Sequence, residues 1–241
     1  MMEPVFTRVV FTIPLFGGIP VRDTVVTTWI IMVMLSGLAF LLGRRRPFLL
    51  EVVVDLLLDL ITGMMGRPAA SYLPLLGTLA IFIATANLIG IIPSIPLPGG
   101  TIFPIVAPTR DINTPLALAL TIFCAVYYYG FRTHGVCGYV KKLASPVFML
   151  PLELISQVSR TLSLSLRLFG NVLSGELIVA VVAMLAPLIV PLPLQVFTMI
   201  TGVLQSYIFT TLATVYIGAA VEVATAPTHR DSTTNETSHT N

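Results

Sequence analysis

The stretch from Ser159 to Glu176, SRTLSLSLRLFGNVLSGE, sets two arginines, an asparagine and a glutamate inside a segment otherwise apolar enough to lie in a membrane. A charged side chain near the bilayer centre costs about 2.5 to 3.5 kcal/mol on insertion scales, so its presence marks a partner or a pathway. At ~100° per residue, Glu153, Ser156, Arg160, Ser163, Arg167, Asn171 and Ser174 all fall within about 40° of the Arg167 direction, forming one polar stripe. Leucines fill the flanks, and Gly170 and Gly175 at the stripe edges remove bulk that would hold a neighbouring helix away. Glu176 lies about 13 Å beyond Arg167 along the axis and on the opposite face, too far to pair with it. One reading makes the stripe interhelical glue, with serines and Asn171 hydrogen-bonding inside a bundle and Arg160 snorkelling to an interface. That explains the serines well and a mid-helix Arg167 poorly.

The rest of the chain fits a membrane setting. Of its 241 residues 56% are hydrophobic and only 10% charged, far from the roughly 25% charged composition of soluble domains. A net charge of +2 without a compact basic patch gives no sign of a nucleic-acid partner. Cys124 and Cys137 have no CxxC or CxxH spacing, which argues against a metal site or a disulfide framework.

Hydropathy and breakers predict a single membrane domain over residues 1–226. Residues 1–23 read as an N-terminal interfacial arm, broken by Pro14, Gly17, Gly18 and Pro20, without a signal-peptide pattern. Span 1 covers 24–42 and stops at Arg44, Arg45, Arg46 and Pro47. Residues 48–66 place Glu51, Asp55 and Asp59 in one line, which suits an amphipathic surface helix whose acidic face is solvated or turned to a partner. Span 2 covers 73–92, with Asn87 its strongly polar interior residue, and span 3 covers 115–131, ending in the Tyr127 to Tyr129 cluster. Arg132, His134, Lys141 and Lys142 then mark a cytoplasmic loop. The inner loops hold seven basic residues, Arg67 included, against Arg8, Arg22 and Arg110 outside, so the N-terminus is expected outside and the C-terminus in the cytoplasm. The tail, 227–241, is polar and expected to be disordered.

Two apolar segments remain, 151–185 and 193–224. As single helices they would extend about 52 and 48 Å, against a hydrocarbon core of about 30 Å. They must therefore lie steeply tilted as a hairpin, unless a kink at Gly170 relaxes the first. The expected fold is an all-α integral membrane protein with about five embedded helices plus one amphipathic surface helix.

The motifs RLFGN (Arg167 to Asn171) and GE (Gly175 to Glu176), with Leu204 to Phe209, ANLIGIIP (Ala86 to Pro93) and PTRDIN (Pro108 to Asn113), occupy a region running from about Leu50 to Glu222. Over it the chain resembles subunit a of the F-type rotary ATP synthases, the stationary membrane subunit that faces the rotating c-ring. The resemblance implies an ion-translocating stator in a bacterial plasma (inner) membrane. Its partners would be the c-ring, the peripheral-stalk b subunits and membrane lipid, with no cofactor and no metal. Arg167 would be the essential charge separating two offset half-channels that load and unload c-ring carboxylates. Asn171, Glu176 and Gln205 would line the outer half-channel, Glu153 and Ser156 the inner one, with Ser163, Asn87 and Glu222 in support. A permanently protonated guanidinium suits a barrier, since it repels cations and attracts a carboxylate only when that carboxylate is ionised.

Three positions depart from the family pattern. Thr198 stands where some members have a histidine, which removes the imidazole that a proton relay would use there. Thr161 replaces a frequent proline and favours a straighter helix, while Arg110 takes a place often held by a small residue and is expected to pair with its neighbour Asp111. Proton and sodium versions share the arginine, so the ion stays open, with protons favoured on prevalence. A different class of function, a self-contained secondary transporter binding an anion at Arg167, predicts internal repeats and discontinuous helices that the sequence does not display. A purely structural scaffold would tolerate loss of Arg167. An enzyme acting alone lacks a nucleotide-binding glycine loop or a nucleophile with its base.

Overall fold

A computed structural model describes residues 9–13, 19–45, 48–66, 70–90, 106–143, 149–185 and 190–225. Strands β1 (Val9–Ile13) and β2 (Ile19–Arg22) pair antiparallel, with Val9 opposite Arg22 and Ile13 opposite Ile19. The helices are α1 (Asp23–Arg45), α2 (Phe48–Met65), α3 (Leu73–Ile89), α4 (Asn113–Leu143), α5 (Met149–Leu185) and α6 (Pro191–Thr225), with a single 3-10 turn at Pro108–Arg110 before α4. Local chemistry sets several starts. Asp23 opens α1 by accepting the Thr24 N–H at 2.9 Å, where a carboxylate also suits the positive end of the helix dipole. Pro74 and Pro191 occupy first-turn positions, where a missing N–H costs nothing.

The protein is an all-α membrane protein, with this small hairpin the one sheet among the described residues. The segments Asp23–Leu41, Asn113–Thr133, Pro151–Leu185 and Pro191–Glu222 are long and apolar enough to cross a bilayer, and α3 is a shorter apolar helix. Helix α6 sits at the centre and packs against α2, α3, α4 and α5. Phe209, Ala213 and Ile217 of α6 are fully buried, in one cluster with Ile61, Leu76, Ile83, Ala119, Leu164 and Leu168. The acidic line of α2 is exposed, while Ile61 on its other side is fully buried, so the helix lies on the bundle by its apolar side.

The structure differs from the sequence reading at the segment after Phe131 and at Arg110. The segment read as a loop after Phe131 stays helical to Leu143, interrupted at Gly135, whose φ of 73° is open to glycine at little cost. The interruption lets Tyr139 fold back against Gly130, where a Cβ would come within 2.6 Å of its ring, and its ring packs edge-on against Tyr127 and Phe131. Helix α5 runs unbroken through Gly170, as the reading of one long tilted helix expects, and the alternative of a kink there is not taken. Arg110 and Asp111 do not pair with each other but reach in different directions to α5 and β2. The 227–241 tail, Arg46 and Arg67 lie outside the described residues.

Candidate functional site

Helix α5 carries two faces of different chemistry. Gln157, Leu164, Ser165, Leu168 and Val172 are buried, spaced as one helical stripe turned into the bundle. Ser159, Leu162, Ser163, Leu166, Arg167, Gly170 and Ser174 are exposed on the other side. Arg167 makes no hydrogen bond or ion pair with any described residue. A Cβ added to Gly170 would meet nothing within 4 Å, so this face is smooth and unoccupied by the chain's own helices. The polar stripe is therefore not glue within this chain at Arg167 and Ser163, although Asn171 at its edge is bonded internally.

On the other side of α5, toward its C-terminal half, lies a cavity of about 200 Å³ between α3, α5 and α6, lined by Asn87, Asn171, Glu176, Gln195 and Thr198 among apolar neighbours. Two glycines permit the close approach that shapes it. A Cβ at Gly175 would come within 2.8 Å of Thr198 Cγ2, and one at Gly202 within 2.9 Å of Asn87 Cβ. Asn171 Nδ2 donates to the Thr201 carbonyl at 3.3 Å. Asn87, 8% exposed, donates from Nδ2 to the Gly202 carbonyl at 2.9 Å and accepts from Thr109 Oγ1 at 2.8 Å. Thus α3, α6 and the Pro108–Arg110 turn are tied at the cavity edge.

Arg110, from the 3-10 turn before α4, reaches Glu176 of the cavity lining. Its Nε lies 3.1 Å from Glu176 Oε2, an ion pair whose alignment falls short of a hydrogen bond. The next residue, Asp111, accepts from Arg22 Nη1 at 2.8 Å and from Asn113 Nδ2 at 2.8 Å. Burial alone would raise the Asp111 carboxyl, but the hydrogen bonds from Arg22 and Asn113 outweigh it and hold the group below its ordinary value. Sequence reasoning missed the Arg110–Glu176 pair because its partners come from distant segments. It also missed Gln195, although Gln195 sits one turn before Thr198 on a helix already read as polar along that face.

The remaining predicted residues are dispersed. Glu153, half-buried near the start of α5, lies 3.9 Å from Arg160, and the Arg160 guanidinium stands 5.4 Å over the Tyr216 ring. Ser156 is half-buried nearby. Gln205 is 4% exposed, and its buried Nε2 makes no hydrogen bond within the structure; it is not among the residues lining the cavity that holds Glu176. Glu222 is exposed at the rim of a separate cavity of about 290 Å³, with Met64, Met65 and Gly218. The structure thus brings Asn87, Asn171 and Glu176 together, with Arg167 on the face of α5 opposite Glu176 and Asn171 at the edge between them. Among the described residues no three His, Cys, Asp or Glu side chains cluster as metal ligands would.

Comparison with known proteins matches residues 24–218 to the family model "ATP synthase A chain". An "ATP synthase subunit a 2" from a Bradyrhizobium species is 44% identical over 213 residues, covering 85% of this chain and 91% of the relative. An "ATP synthase subunit a 2" from Acaryochloris marina is 39% identical over 234 residues, covering 93% and 94%. An "ATP synthase subunit a 1" from Chlorobaculum parvum is 36% identical over 214 residues, covering 85% and 90%. Matches of this extent, over a helical membrane chain that turns an arginine outward from its longest helix, show that the protein belongs to the ATP synthase A chain family, the ion-translocating stator subunits of the synthase membrane sector.

Proposed function

We propose that this chain is the stator that loads and unloads the carboxylates of a c-ring through two offset half-channels, with Arg167 between them. The observation that carries the reading is the opposition of two faces on one helix: Arg167 exposed and without a partner among the described residues, Glu176 in a cavity that brings it together with Asn87, Asn171, Gln195 and Thr198. An exposed guanidinium on an apolar helix needs an anionic counterpart from outside the chain, and an ionised carboxylate on each c subunit supplies it. The cavity with Asn87, Asn171, Glu176, Gln195 and Thr198 serves as the outer half-channel, and Gln205, deeper on α6, continues it toward the ring. Glu153 and Ser156 serve the inner half-channel at the opposite end of α5, and Ser163 lies on the ring-facing side near Arg167.

In this mechanism a ring carboxylate that has released its ion toward the cytoplasm is ionised and drawn to Arg167. It then takes up an H⁺ or Na⁺ from the outer half-channel, becomes neutral and moves away into lipid, while the fixed charge of Arg167 bars direct passage between the half-channels. Helix α5, at 37 residues, is about 55 Å long, so it crosses steeply inclined and spreads Glu153, Arg167 and Glu176 over three depths. The N-terminus lies outside and the C-terminus in the cytoplasm, and b subunits and lipid cover the surface that the ring leaves free. A secondary transporter would enclose its anion, whereas Arg167 is on an outer face. The test is Arg167→Ala in the assembled complex in vesicles, beside Ser163→Ala. Coupled ion transport and ATP synthesis should fall to background in the first and persist in the second, and retained coupling in Arg167→Ala would remove the arginine from the mechanism.

A further inference from the structure

The geometry points to Arg110 as a positioning residue of the outer half-channel, a fixed guanidinium that holds the Glu176 carboxylate and that an entering cation must displace. This rests on reading the cavity as that half-channel. Arg110 Nε and Glu176 Oε2 are 3.1 Å apart, with the side chains 17% and 24% exposed, so the contact is largely screened from bulk solvent.

The segment bearing Arg110 is fixed on both sides. Thr109, fully buried, donates to Asn87 Oδ1, and Asp111 is held by Arg22 from β2 and by Thr24 Oγ1 of α1 at 3.5 Å. The guanidinium is thereby set against Glu176 by three separate elements instead of hanging from a loose loop. The charged groups acting on Glu176 are Arg110 and, from the start of α1, Asp23; α3 and α6 face it with the uncharged Asn87, Gln195 and Thr198. A cation reaching Glu176 therefore competes with one positive charge already in contact. Loss of that charge should raise the affinity of the half-channel for the entering ion, because an opposite charge within ~4–6 Å typically changes a carboxylate's cation affinity tenfold or more.

The experiment uses the assembled complex in vesicles and measures ATP synthesis against the outer concentration of H⁺ at fixed Na⁺, and of Na⁺ at fixed pH. For Arg110→Gln the half-saturating concentration of the coupling ion should fall roughly tenfold with assembly retained, and Arg110→Lys, which keeps the charge, should return most of the way to the parent value. An unchanged half-saturation in Arg110→Gln, while Glu176→Gln alters it, overturns the role of Arg110 and leaves the half-channel standing. No change in either variant overturns the reading of the cavity itself. If Arg110→Gln alone does not assemble, the double variant Arg110→Gln/Glu176→Gln, which removes both charges, should restore assembly, and its failure would show Arg110 to be structural.

Discussion

Two opposite faces of α5 each carry a charged residue, Arg167 on one and Glu176 on the other, and are finished in different ways. Around Glu176 the polar groups meet the chain's own chemistry: Arg110 against the carboxylate, Asn171 on the Thr201 carbonyl, Asn87 between Thr109 and Gly202. Around Arg167 the described residues supply no partner, and the neighbouring Gly170 faces open space. A charge on an otherwise apolar membrane helix is costly without a partner, and under the proposed function the bare Arg167 meets its anion on another subunit while Glu176 meets Arg110. On the proposed function the contrast separates a site completed by folding from one completed by assembly.

The largest effect that would sharpen this contrast is the loss of coupling in Arg167→Ala with the subunit still folded and assembled. The two glycines come next. Gly175→Val drives a side chain into Thr198 and should destabilise the α5 and α6 contact by about 1–3 kcal/mol, seen as a lower unfolding temperature of the purified subunit in detergent. Gly170→Val puts its Cβ where no atom of the described residues lies within 4 Å and should leave that temperature unchanged while impairing ATP-driven rotation, because its bulk falls on the face proposed to meet the ring. Equal destabilisation by both would erase the distinction. Asn87→Ala strips partners from Thr109 and the Gly202 carbonyl and should cost about 1–3 kcal/mol, with faster proteolysis near the Pro108–Arg110 turn.

The smallest effect concerns Asp111, whose native carboxyl titrates below its unfolded value. Its stabilisation is present above about pH 4 and is lost as pH falls through the lower native value. Arg22 is half-exposed, so solvent screening keeps the effect slight. Asp111→Asn should flatten the stability of the detergent-solubilised subunit between about pH 4 and 2, and an unaltered acid profile would show that the Arg22 bond contributes nothing.

Much of this was legible in the chain because membrane helices announce themselves by uninterrupted apolar length, and because a mid-helix arginine such as Arg167 has few explanations. The opposite placement of Glu176 followed from helical periodicity alone. The Arg110–Glu176 pair did not follow, since nearest-neighbour reasoning joined Arg110 to Asp111, and only the packing of the Pro108–Arg110 turn against α5 reveals otherwise. The helix beyond Phe131 was hidden for a related reason. Its basic residues and Gly135 read as a loop, but a glycine with positive φ is compatible with two helical pieces whose angle is fixed by Tyr139 resting on Gly130.

The most direct test of the central claim is disulfide cross-linking in the assembled complex after replacement of Cys124 and Cys137. Single cysteines at Ser163, Gly170 and Thr198 would each be paired with a cysteine beside the ion-binding carboxylate of the c subunit. The account expects cross-links from Ser163→Cys and Gly170→Cys and none from Thr198→Cys, which lies in the internal cavity. Cross-linking from Thr198→Cys with none from the Arg167 face would contradict it.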